Sequence, residues 1–124
     1  GEHTFYNLKI GDPNLKPLSF EAGKLQTING TLTIRRATLS STEPGTQWLI
    51  RLVEPMPDFS INPGQATVIQ AYVRDSDASS GHTITAYYST DHGNNLNWVF
   101  PRAHGTIIIY GQLNNRQQEQ LYTR

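Results

Sequence analysis

The sequence predicts an all-β protein, and three features carry that expectation. Runs of four to nine residues rich in Thr, Val, Ile and Tyr recur along the chain, some alternating polar and apolar. Gly, Pro, Asn and Asp clusters bound these runs. No segment of ten or more residues carries the apolar spacing of a helix. The expected architecture is a sandwich or barrel of about seven to nine short strands.

Asn7-Leu8-Lys9-Ile10 is a first short alternating run, followed by the turn Gly11-Asp12-Pro13-Asn14. Residues 17 to 34 read PLSFEAGKLQTINGTLTI, with apolar side chains at Leu18, Phe20, Leu25, Ile28, Leu32 and Ile34, and with Gly23 and Gly30 between the runs. Thr31 to Arg35 alternates with period two. After the turn Glu43-Pro44-Gly45, the denser run Trp48 to Val53 reads as a core strand, with Trp48 inside. Pro55 and Pro57 flank Met56 and break regular pairing, since proline lacks a backbone donor. Asn62-Pro63-Gly64 is a further turn, and Ala66 to Arg74 and His82 to Tyr88 are strand-like. Asp77 to Gly81 and Asp91 to Asn95 carry turn chemistry. Thr106 to Tyr110 (TIIIY) is the strongest β signal, and the final NNRQQEQLYTR reads as a short helical turn or a polar tail.

Composition narrows the classes of function. The 124 residues suit one domain with its own core. Ten Lys+Arg balance ten Asp+Glu, so no strong field draws the chain to nucleic acid or an anionic membrane. The absence of cysteine removes disulfides, thiol catalysis and thiolate metal sites. No apolar run approaches the roughly 18 residues of a membrane span, and residues 1–10 lack a signal-peptide pattern.

Within residues 15–34, Leu18 and Phe20 recur fourteen residues later as Leu32 and Ile34. Each unit is a strand, a glycine turn and a second strand, and such a unit needs neighbours to bury its apolar face. The pattern Pro17-Leu18-Ser19-Phe20, Gly23-Lys24-Leu25, Gly30-Thr31-Leu32-Thr33-Ile34 resembles the triple β-spiral shaft of adenovirus fibres. The resemblance covers about twenty residues of the 124. It implies a short triple β-spiral-like shaft segment over residues 1–36, followed by a compact antiparallel β-sandwich head over residues 37–124. It further implies a homotrimer on a virion surface, attaching to a host-cell protein or glycan receptor and assembled in the host cell without disulfides. Leu18, Phe20, Leu25, Ile28, Leu32 and Ile34 would then form the trimer seam, facing the axis or adjacent strands. A carbohydrate-binding β-sandwich module and a phage tail-fibre tip stand as alternatives, with a small hydrolase subdomain a further one.

The sequence offers no catalytic motif. Arg74 to Gly81 resembles a calcium loop but has Ala86 where the twelfth-position carboxylate belongs, so a surface hairpin loop is the expected reading. Asp91 and His92 are adjacent and would cooperate only across a turn. His82 and His104 lack an identifiable third metal ligand. The expectation is therefore a protein that is not an enzyme, with no metal and no cofactor. The richest recognition chemistry lies in the segment from Tyr87 to Trp98. Its Tyr87, Tyr88, Asp91, His92, Asn94, Asn95 and Trp98 are the candidate receptor-binding residues, offering aromatic faces and directional hydrogen bonds around a loop.

Overall fold

The computed structural model describes residues 1–11 and 17–101. The turn residues Asp12 to Asn14, the strand expected over 106–110, His104 and the final polar run lie outside the described residues. In chain order the elements are β1 (His3–Phe5), β2 (Leu8–Gly11), β3 (Pro17–Phe20), β4 (Leu25–Ile28), β5 (Leu32–Ser41) and β6 (Trp48–Leu52). A 3₁₀ turn (Pro63–Gln65) then precedes β7 (Val68–Val73), β8 (Ser76–Asp77), β9 (Ile84–Thr85), β10 (Thr90–Asp91) and β11 (Trp98–Val99). The all-β class holds among the described residues.

The pairing differs from the expectation. All eight ladders among the described residues are parallel. One sheet has the order β1-β4-β6-β8, and a second runs β10-β7-β5-β2, with β3 also on β5. A two-stranded pair joins β11 to β9. Leu8 pairs with Leu32, and Leu25 pairs with Leu49 at the same separation along the chain. The chain thus circles once between stacked partners and winds as a β-solenoid. Over residues 37–101, the described part of the expected antiparallel sandwich, the ladders are parallel instead. The physical reason lies in the turns. Parallel strands cannot be joined by a tight hairpin, and Glu43-Pro44-Gly45 connects β5 in one sheet to β6 in the other. It acts as a corner instead of a reversal. The boundary expected at residue 36 falls inside β5, which pairs with β2 and β3 on one side and β7 on the other.

The core is a set of columns running through successive turns. Phe5 pairs with Ile28 and Ile28 with Leu52; Ile10 pairs with Ile34 and Ile34 with Val68; Leu39 pairs with Val73. Ile28, Ile34, Trp48, Val68 and Val73 are fully buried. Each such side chain contributes about 1.5–3 kcal/mol of hydrophobic stabilisation. This corrects the seam. Ile28, Leu32 and Ile34 fill the interior of their own chain. Phe20 and Leu25 are half-buried, and Phe20 stacks on Trp48 with centroids 4.2 Å apart. Leu18, on the first turn, is the one exposed member. The fourteen-residue recurrence is not the stacking period either: Leu18 pairs with Leu39 and Leu32 with Leu8.

Corners are built from left-handed residues placed one above another. Arg36, Gln70 and Tyr88 have φ of 54°, 55° and 50°. The pairs Arg35–Ile69 and Ala37–Ala71 put Arg36 beside Gln70, and the Ile69–Tyr87 bridge puts Gln70 beside Tyr88. A left-handed turn at the same place on each circuit lets the strands before and after it stay in register. Between β6 and β7 the chain makes the longest excursion among the described residues, over 53–67, and only after it does Val68 come to lie against Ile34.

Candidate functional site

The outer surface of the β10-β7-β5 sheet gathers the exposed recognition chemistry. In β7 the alternation is strict after Ile69: Ala71 and Val73 point inward, while Gln70 and Tyr72 are exposed, as is Arg74 just beyond the strand. Tyr72 pairs with Thr38 on one neighbouring turn and Thr90 on the other. Its ring meets the His92 imidazole edge-on, with centroids 5.5 Å apart at 69°. Tyr72 is 39% exposed and Tyr88 44%. Neighbouring strands lie about 4.8 Å apart, so these side chains stand in register along the corner at Gln70 and the strand that follows it. Arg36 and Arg74 add two guanidinium groups to this surface.

Of the seven residues expected to bind a receptor, Tyr88, Asp91 and His92 are exposed on or beside this face. The others serve the scaffold. Tyr87 is buried and meets Phe59 edge-on at 6.5 Å. Trp98 is buried, stacks on Phe100 and donates its indole N–H to Ser76 Oγ at 2.9 Å. The amide of Asn95 donates to Val73 O (2.9 Å) and Asp91 Oδ1 (2.7 Å), and its oxygen accepts from the Ser76 N–H (2.9 Å). Asn94, though exposed, donates to Asp75 Oδ1 at 2.8 Å and to Gly45 O at 3.3 Å. Asn97, not singled out from sequence, donates to Ala78 O and Gly81 O and accepts from Thr83 Oγ1. These amides bond backbone groups at the corners where the ladders end.

The Arg74–Gly81 segment is not a hairpin loop: β8 within it pairs in parallel with β6. Asp75 is buried, and its carboxylate accepts from Asn94 and from the Gly45 N–H at 3.0 Å. The Asn94 hydrogen bond, then that from Gly45, holds its pKa below the usual carboxylate value. Asp77 Oδ1 accepts from the Ser79 N–H at 2.8 Å. Among the described residues no group of three or more His, Asp or Glu is placed to hold a metal ion.

Tyr72, Gln70 and Arg74 escaped the sequence reading. Their signal was the polar-apolar alternation from residue 69 to 74, which puts them together on the solvent face once that strand is known to have a neighbour on each side. Comparison with known proteins finds no matching family model, no matching curated protein and no matching solved structure.

Proposed function

We propose that this chain is a non-enzymatic attachment module of a viral fibre, which docks on a host-cell receptor with the outer face of the β10-β7-β5 sheet. The observation that carries the reading is the exposed set Tyr72, Tyr88 and His92, flanked by Arg36 and Arg74 on a rigid parallel ladder. Tyr and Arg dominate the energetics of protein–protein contacts, and side chains fixed on strands lose little entropy on docking. A protein receptor therefore suits this surface.

Assembly as a homotrimer on the virion surface is the second half of the proposal. Three linked copies turn weak contacts into avid adhesion. The contact would fall on the half-buried or exposed apolar residues of the first two turns, Leu18, Phe20 and Leu25, in place of a full β-spiral seam. No disulfide is needed, as the chain has no cysteine.

Binding of the labelled protein to a panel of cultured cell lines tests the attachment reading. At least one line is expected to bind, and Tyr72→Ala with Tyr88→Ala to weaken that binding by about tenfold or more without changing the unfolding temperature. Equal binding by the variant, or no binding to any line, would overturn it. Light scattering tests assembly separately: three times 13.9 kDa is expected, and a stable species of 13.9 kDa rejects the trimer.

A further inference from the structure

We infer a second, separate binding site: a saccharide-binding cleft between the 53–67 excursion and the first two turns of the solenoid. The cleft encloses about 410 Å³. Tyr6, Pro55, Met56 and Pro57 line it together with the buried Leu32 and Leu52. That volume sits at the lower end of the range for small-molecule sites, enough for about one or two sugar rings.

The backbone that carries the Tyr6 ring is tightly held. Tyr6 is 74% exposed, yet its carbonyl accepts the Gly30 N–H. A Cβ at Gly30 would lie 2.6 Å from Tyr6 O and 3.1 Å from its ring Cε2, so only glycine lets the two turns approach this closely. Asn7 Oδ1 accepts the Thr31 N–H at 2.8 Å and locks the same contact from the side. An exposed ring on so constrained a turn is a ready platform for the C–H face of a sugar.

The polar rim supplies the rest. Asn29, Thr31, Glu54 and Thr67 line the cleft. Among the described residues, no protein group hydrogen-bonds or pairs with their side-chain polar atoms. Together they present donors and acceptors to the occupant. The lining includes one carboxylate and no cationic side chain, which disfavours phosphate, sulfate and acidic sugars. A simple amine would engage Glu54 and leave the amide and both hydroxyl groups unused. A neutral saccharide uses all four, and stacks on Tyr6. The site shares no residue with the Tyr72–Tyr88 face, so it stands whether or not that face binds a receptor.

The experiment is an amide-resolved NMR titration of the whole chain with the methyl glycosides of glucose, galactose and mannose and with N-acetylglucosamine. Cadaverine and inorganic phosphate serve as competing chemistries. At least one neutral sugar is expected to shift the amides of Gly30, Thr31, Leu52 and Thr67 saturably. Tyr6→Ala should weaken that binding by about tenfold, Tyr6→Phe should retain it, and Tyr88→Ala should leave it unchanged. No shift with any sugar at tens of millimolar overturns the inference. So does a response to cadaverine or phosphate alone, or shifts confined to the Tyr72–Tyr88 face. If Tyr6→Ala is unfolded, the Tyr6→Phe and wild-type titrations still decide.

Discussion

The side chain of Asn94 donates a hydrogen bond of 2.8 Å to the carboxylate of Asp75, the residue that occupies the equivalent corner one turn earlier. Both have φ of 57°. Gly45 joins the same carboxylate from the turn before that. One buried charge therefore ties three successive corners together.

Because Asp75 has its pKa lowered by these bonds, its ionised form is favoured by folding. Its contribution is complete above the ordinary value of 3.8 and is lost as pH falls through the lower folded value. Unfolding experiments from neutral pH down through that window should show falling stability. Asn94→Ala should cost about 1–3 kcal/mol at neutral pH, as expected for a hydrogen bond to a buried charge, and should flatten the acid limb. An acid limb equally steep in Asn94→Ala would remove Asp75 from this role.

The stacked pair Leu8–Leu32 and the column Ile10–Ile34–Val68 predict where truncation hurts. Leu32→Ala and Ile34→Ala should each cost about 2–5 kcal/mol, because they empty a packed interior. Leu18→Ala, at an exposed position on the first turn, should cost well under about 1 kcal/mol. Denaturant unfolding at several protein concentrations checks both size and origin: the Leu32 loss should not vary with concentration. A concentration-dependent loss would return Leu32 to an interchain seam.

Gly81 is placed against the end of β6. A Cβ there would lie 2.5 Å from Leu52 N and 2.6 Å from Leu52 O. Gly81→Ala should therefore destabilise by about 1–3 kcal/mol through displaced backbone. Amide exchange should quicken at His82, whose N–H bonds Leu52 O at 2.9 Å. Unchanged exchange at His82 would show that Gly81 does not press on Leu52.

The left-handed corner at Gln70 carries the opposite expectation. A left-handed conformation costs a non-glycine residue about 1–2 kcal/mol, so Gln70→Gly should be neutral or stabilising despite the added freedom of the unfolded chain. Tyr72→Gly, two residues on and in extended backbone, should destabilise. Thermal unfolding of the pair reads the contrast. Equal losses at the two positions would deny the corner its special backbone.

Much of this was legible in the chain. The alternation in Thr31 to Arg35 and the dense runs at Trp48 and Ala66 placed β5, β6 and β7, and Trp48 reads as core in both sequence and structure. Pairing direction was not legible, because a corner and a hairpin use the same Gly, Pro and Asn residues. The period was obscured too. Leu18 and Phe20 match Leu32 and Ile34 as strings, but the coils between stacked partners differ in length, so no fixed repeat marks the rungs. At the candidate face, exposure of Tyr88 and His92 agreed with the reading of a polar loop. Asn94, Asn95 and Trp98 read as recognition groups because amides and indoles have the same chemistry whether they meet a ligand or a neighbouring corner.

The length of chain between stacked partners varies along the solenoid: it is longest from Ile34 to Val68, shorter from Leu8 to Leu32 before it, and shorter again from Tyr72 to Thr90 and from Ile84 to Trp98 after it. Only the paired strands need to meet, and lengthening a flexible connection costs little, about 0.6 kcal/mol for each doubling. Selection can therefore rewrite the outward excursions, the 53–67 segment above all, while the inner columns stay as they are. A lineage under pressure to change its surface would gain new ones by insertion, without having to re-evolve a fold.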